Sequence, residues 1–124
     1  MATSSTTLNS PISNTKYSDT DAGAGTTATG VQISGSDETI NHIVINNSVN
    51  SSKVYFKFFT SSPTVGTTAP FMVLPCEALS SAEYIFLPGI LFTGGLHYAC
   101  VTTAGQSGTV APNTTGITLE VQFT

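Results

Sequence analysis

The run Gly116–Thr124, GITLEVQFT, sets Ile117, Leu119, Val121 and Phe123 on one face of an extended chain and Thr118, Glu120 and Gln122 on the other. Successive side chains of a strand point to opposite sides, so this alternation calls for one buried face and one wet one. Related extended runs recur at VQISG, TINHIVINNSV, KVYFKFF, FMVLPC, AEYIFLPG and LHYACVT, each bounded by turn-forming residues. No apolar pattern of period 3.6 persists over three turns, so no helix is predicted. Seven or eight short strands at roughly ten-residue spacing predict an all-β fold, an antiparallel β-sandwich of the jelly-roll or Ig-like kind.

A chain of 124 residues is long enough to bury a core without a metal or a disulfide. In KVYFKFF, Val54, Phe56 and Phe58 share one face, and Tyr55, Lys57 and Phe59 share the other. The first face is predicted core, together with Phe71, Phe86, Ile117, Leu119, Val121 and Phe123. Each buried Phe contributes about 1.5–3 kcal/mol. A strand apolar on both faces must be covered on both sides, by its own chain or by another protein. Tyr55 and Phe59 are therefore candidate subunit contacts. In TINHIVINNSV, the period of two puts Ile43 and Ile45 on one face and Ile40, His42 and Val44 on the other.

Residues 1–27 are polar, with Ile12 and Tyr17 the only large apolar side chains between Leu8 and Val31. Such a segment cannot build a core of its own. The predicted division is an extended N-terminal arm over 1–30 and a sandwich domain over 31–124. The arm is either loose or ordered against a partner through Leu8, Ile12 and Tyr17.

Charged residues make up only 8% of the chain, against about a quarter in ordinary globular proteins. Ser and Thr, roughly three residues in ten, take over the wetting of the surface, and Thr suits an extended backbone. There is no Arg, and the only basic residues are Lys16, Lys53 and Lys57. That argues against nucleic-acid binding, which needs a basic patch. The net charge of −4 gives modest solubility and little steering. The first residues lack the basic and apolar regions of a signal peptide, and YIFLPGILF is too short to cross a bilayer. The expectation is a chain made in a cytoplasm, with no membrane partner. In that compartment Cys76 and Cys100 read as buried thiols, a bridge depending on a distance the sequence does not give.

No catalytic set is apparent. The two histidines, His42 and His97, fall inside predicted strands, and Cys100 lies three residues from His97, on the opposite face of a strand. Metal-ligand spacings are missing too: SDTDAG at Ser18–Gly23 has only part of a calcium loop, and GAG at Gly23–Gly25 lacks the strand and helix of a phosphate loop. No cofactor is expected, and the chain reads as a non-enzyme. Tyr55, Phe59, Tyr84 and Tyr98 are candidates for a sugar-binding platform, though the absence of Trp favours packing roles instead.

From Lys53 to Phe123 the chain resembles a family of small virion structural proteins of tailed bacteriophages, cyanophages among them. Pro63, Thr64, Val65, Gly66, Thr67 and Pro70 match the family's loop, and Leu74 and Pro75 match the next strand. Gly89, Ile90, Phe92, Gly95, Leu96, Tyr98 and Ala99 match a third block. Cys76 and Cys100 stand where the family commonly has small or polar residues, and the N-terminal segment has no counterpart. The resemblance implies a β-sandwich serving as a head decoration, or cement, protein on the capsid surface of the virion. Its partners would then be the major capsid protein and itself, as a homotrimer at three-fold positions. The resemblance also admits a tail or fibre component, and with it a receptor module that binds glycans.

Overall fold

A computed structural model of the chain describes residues 3–7 and 13–124. Among these residues there are nine strands and no helix: β1 (Thr3–Thr7), β2 (Thr15–Asp19), β3 (Val31–Ser34), β4 (Glu38–Asn46), β5 (Val54–Phe59), β6 (Met72–Cys76), β7 (Ser81–Phe92), β8 (Leu96–Val101) and β9 (Thr118–Phe123). They form two antiparallel sheets, ordered β1-β2-β9-β4-β7 and β3-β8-β5-β6. The two sheets pack face to face as a β-sandwich.

The alternation in β9 explains its central place. Leu119, Val121 and Phe123 turn inward with Ile43 and Ile45 of β4, and they meet Val54, Phe56 and Phe58 of β5 and Leu96 and Tyr98 of β8. Ile117, Leu119, Val121, Phe123, Val54, Phe56 and Phe58 are all buried. Phe86 is half-buried against this core. Phe71 differs from its predicted place: it is 56% exposed and lays its ring edge-on against Phe92 at 4.9 Å. The reason is its position just before β6, on the rim of the smaller sheet.

The boundary predicted at residue 30 does not separate an arm from a sandwich. β2 pairs along its whole length with β9, from Thr15 opposite Phe123 to Asp19 opposite Leu119. Tyr17 is therefore a core residue and not a docking contact. It lies at 5% exposure with its ring edge-on to Tyr98 of the other sheet. Asp19 beside it is fully buried and accepts a hydrogen bond from the Tyr98 hydroxyl and another, of 2.9 Å, from the Asp21 amide. The Tyr17 and Tyr98 hydroxyls lie 3.0 Å apart. Burial, reinforced by Asp19, holds the Tyr98 phenol far above its usual range. A polar segment thus joins the core because three buried polar groups satisfy one another across the two sheets. Only β1 behaves as an appendage: every one of its residues is exposed, and its ladder partner is β2.

The second face of β5 is covered by the protein's own loops. Phe59 is 1% exposed and packs with Ala28, Ala99, Val101 and Ala111, flanked by Tyr55 and Val65. The predicted subunit contact at Phe59 is thus internal. Two segments close over this face through a bridge between Thr27 and Val110. Lys57, only 1% exposed, points into the same layer. Its ammonium donates to the backbone carbonyls of Gly105 at 2.8 Å, Gln106 at 3.3 Å and Gly108 at 3.1 Å. Burial lowers the Lys57 pKa, while three acceptors replace the water it gives up.

The two cysteines are free and buried. Cys76 lies opposite Val54 and Cys100 opposite Phe56, on the two flanks of β5. Two strand spacings separate them, about 10 Å, beyond the roughly 7 Å that a bridge tolerates. Burial raises both thiols, Cys100 to about 12.

Two outcomes follow from this architecture. Removing residues 1–7 leaves the thermal midpoint nearly unchanged, whereas removing residues 1–27 strips Tyr17 and Asp19 from the core and costs at least about 3 kcal/mol in urea unfolding. Neither thiol reacts with an aromatic disulfide reagent at about pH 8 in the native protein, and both react at once in denaturant, because thiolate is the attacking form.

Candidate functional site

β4 carries one residue more than β9 can match. Ile40 lies opposite Phe123 and His42 opposite Gln122, which leaves Asn41 unmatched against β9. On the other side Ile40 lies opposite Ile90 and His42 opposite Ile85, so the four residues Phe86–Gly89 of β7 stand against Asn41 alone and leave the ladder as a bulge. An inserted residue resets the alternation. Ile40, predicted on the face of His42 and Val44, is accordingly fully buried on the core side. The bulge contains the cis bond Leu87–Pro88 and is tolerated because β7 is an edge strand. Gly89 brings the chain back: a Cβ there would lie 2.4 Å from Thr39 Cγ2 and 2.8 Å from the Ile40 carbonyl oxygen. No other residue fits so close an approach.

Where the strands part, a groove of about 320 Å³ opens on the outer face of the larger sheet. Asn41, His42, Glu83 and Gln122 supply its polar groups, and Ile85 and Leu87 its apolar wall. These two aliphatics are 63% and 69% exposed. Ser13, at 2% exposure, donates to Asn41 Oδ1 at 3.0 Å, and His42 Nε2 meets Glu83 Oε2 at 2.8 Å. The Ser13 hydroxyl is turned to Asn41 and not to His42, so these groups do not line up as nucleophile, base and acid. Among the described residues no group of three or more His, Cys, Asp or Glu side chains is placed to hold a metal ion.

A second feature lies just before the start of β7. Leu79 has φ of 54°, in the left-handed region, and is 66% exposed. Left-handed backbone costs a non-glycine residue about 1–2 kcal/mol, and this residue does not recover it by burial. Two buried asparagines hold the loops around it. Asn47 Nδ2 donates to the carbonyls of Ser52 at 2.8 Å and Glu77 at 3.0 Å, and the Asn47 amide to Ser80 at 2.8 Å. The Leu79 amide donates to the Asn50 carbonyl at 2.9 Å, and Asn50 Nδ2 to Ser52 at 2.9 Å. Val49, 55% exposed, stands in the adjoining loop. The result is a fixed apolar tip, flanked by the Lys53–Glu77 ion pair at 3.0 Å.

Of the predicted contact residues, Leu8 and Ile12 lie outside the described residues. Tyr17 and Phe59 are interior. Tyr55 is half-buried, with the Lys53 ammonium 5.3 Å above its ring. The four-ring sugar platform does not form, because Phe59 and Tyr98 are each 1% exposed and Tyr84 is half-buried with its hydroxyl on the Pro75 carbonyl. The sequence did carry one signal for the groove: a Pro-Gly pair inside an apolar run marks a bulge on an edge strand. Nothing in the sequence pointed to Leu79.

The chain matches no protein-family model, no curated protein and no solved structure. Fold and surfaces together define a small two-sheet β protein with an apolar tip and a polar groove.

Replacing the strained residue separates stability from use of the tip. Leu79→Gly raises stability by up to about 1 kcal/mol, the relief of left-handed strain less the extra freedom of unfolded glycine. A lower urea midpoint for this variant would show that the leucine serves the fold.

Proposed function

We propose that the protein is a non-enzymatic structural component of a bacteriophage virion, a head decoration protein that binds the outer surface of the capsid. Its partners are the major capsid protein and its own copies, as a homotrimer at three-fold positions. The observation that carries this reading is Leu79: an exposed leucine held in a costly conformation by two buried asparagines is a preorganised apolar anchor for a protein surface. Preorganisation matters because ordering a loose loop on binding would offset much of the contact energy. The resemblance of residues 53–123 to virion proteins supports the same reading. So does the scarcity of charge, which lets many copies sit side by side with little repulsion.

The mechanism is mass action. A ligand that binds the assembled shell, and not its separated subunits, stabilises the shell by RT ln(1 + c/Kd) for each site at free ligand concentration c, so the effect grows with the logarithm of free ligand above Kd. In a trimer the Leu79 tips of the three copies reach neighbouring capsid subunits, which makes the trimer a clamp.

Mixing the purified chain with undecorated shells tests the reading by co-sedimentation and by the melting temperature of the shell. The expected result is saturable binding and a raised melting temperature. Leu79→Asp weakens binding by about 2 kcal/mol, roughly thirtyfold, with the sandwich still folded. Absence of shell binding, or equal binding by the variant, refutes the reading, and binding to tails alone moves the protein to a tail or fibre role.

A further inference from the structure

The groove opened by the register break is not used by the shell-binding reading, and it lies some way along β7 from the Leu79 tip. We propose that it is a binding site for a neutral saccharide, one or two rings long, recognised through hydroxyl groups along one edge.

The polar groups of the groove are built, not merely exposed. Ser13, buried to 2% exposure, donates to Asn41 Oδ1, which fixes that oxygen as an acceptor already engaged and leaves the Asn41 Nδ2 group as a donor. Gly89 packs against that nitrogen so closely that a Cβ would lie 2.8 Å from it. His42 and Glu83 hold one another at 2.8 Å, and Gln122 stands across the strand from His42. Together the two carboxamides, the imidazole and the carboxylate offer donors and acceptors side by side. A sugar hydroxyl is itself both donor and acceptor, and needs that mixture.

Charge narrows the ligand class. Glu83 is the acidic group in the groove, and the chain has no Arg. Lys16, the cross-strand neighbour of Gln122, faces Glu120 at 3.9 Å. A phosphate, sulfate or carboxylate would meet a field that is not positive, so a neutral ligand is favoured.

The backbone narrows it further. β4, which floors the groove, is paired on both sides, with β7 and with β9. A peptide that binds by strand addition needs a row of free backbone groups, and this floor offers no such row, being paired on both sides from Ile40 to Asn46 at every position but Asn41. Recognition is left to side chains, as for a sugar edge, with Ile85 and Leu87 packing against the C–H face. The volume of about 320 Å³ is at the lower end of small-ligand sites, about 300–1,000 Å³. No aromatic ring lines the groove, so affinity at a single site is weak, in the millimolar range, and useful binding comes from many copies acting together.

Titration of the isotope-labelled full-length protein, followed by amide chemical shifts, tests the site. The probes are glucose, galactose, N-acetylglucosamine and their β-linked disaccharides, with a phosphorylated glucose and an extended Ser/Thr-rich peptide as counter-probes. The expected result is saturable shifts with at least one neutral sugar, confined to Asn41, His42, Glu83, Ile85, Gln122 and their neighbours. Gln122→Ala binds that sugar at least about tenfold more weakly, and Ser18→Ala, on the same face outside the groove, binds it as the parent does. Gln122→Ala retains the parent spectrum elsewhere and sediments with shells as before, which separates loss of the sugar site from loss of the fold or of the shell contact. The proposal is overturned by the absence of saturable shifts with every neutral sugar, by equal binding in Gln122→Ala, or by tighter binding of the phosphorylated sugar or the peptide.

Discussion

Much of this structure follows from one strand that must be buried on both faces. β5 carries Val54, Phe56 and Phe58 on one side and Phe59 with Lys57 on the other, and all five are essentially inaccessible to water. The first side is met by the larger sheet, which accounts for the sandwich. The second is met by segments near Ala28, Val65 and Ala111, which accounts for the long Thr- and Gly-rich connections that would otherwise have no reason to be ordered. Lys57 is the hinge of this second layer. A lysine among apolar neighbours is costly unless its charge is solvated by something, and the carbonyls of Gly105, Gln106 and Gly108 do so only if that loop is folded down. The loop and the lysine therefore order each other.

The second organising event is the insertion of Asn41. By adding one residue opposite β9, it brings Ile40 into the core; at the same point four residues of β7, Phe86–Gly89, leave the ladder and a concavity opens. A gain in packing at one position and the opening of a surface at the next fall at one register break. β7 then carries two different surfaces, the apolar tip just before its start and the groove near its bulge.

The architecture was legible because its signal is short-range. Alternation in Gly116–Thr124 and in KVYFKFF depends only on the pleat of a strand, and it locates β9 and β5 without knowledge of their neighbours. What the sequence hid was long-range. Tyr17 looked like part of a polar arm because its partners, Tyr98 and Asp19, satisfy each other only once β8 lies across from β2. Phe59 looked like a surface ring because the loops that cover it have no apolar periodicity of their own. Ile40 was assigned to the wrong face because a bulge is an offset between strands, and a single strand carries little trace of it. Leu79 was invisible for another reason: its backbone conformation is imposed by Asn47 and Asn50, whose own burial depends on three loops meeting.

The capture of Lys57 has a consequence for the chemistry this molecule offers its surroundings. With no arginine in the chain and three lysines in all, cleavage sites for trypsin-like proteases are scarce from the outset. Lys57 is sealed beneath its loop, and Lys16 sits in a strand laddered on both sides. Lys53, just ahead of β5 and engaged with Glu77, is left as the one lysine in a connecting segment. A fold without disulfides thereby offers trypsin-like proteases little to cut for reasons of composition and burial, where extracellular domains more often rely on cross-links.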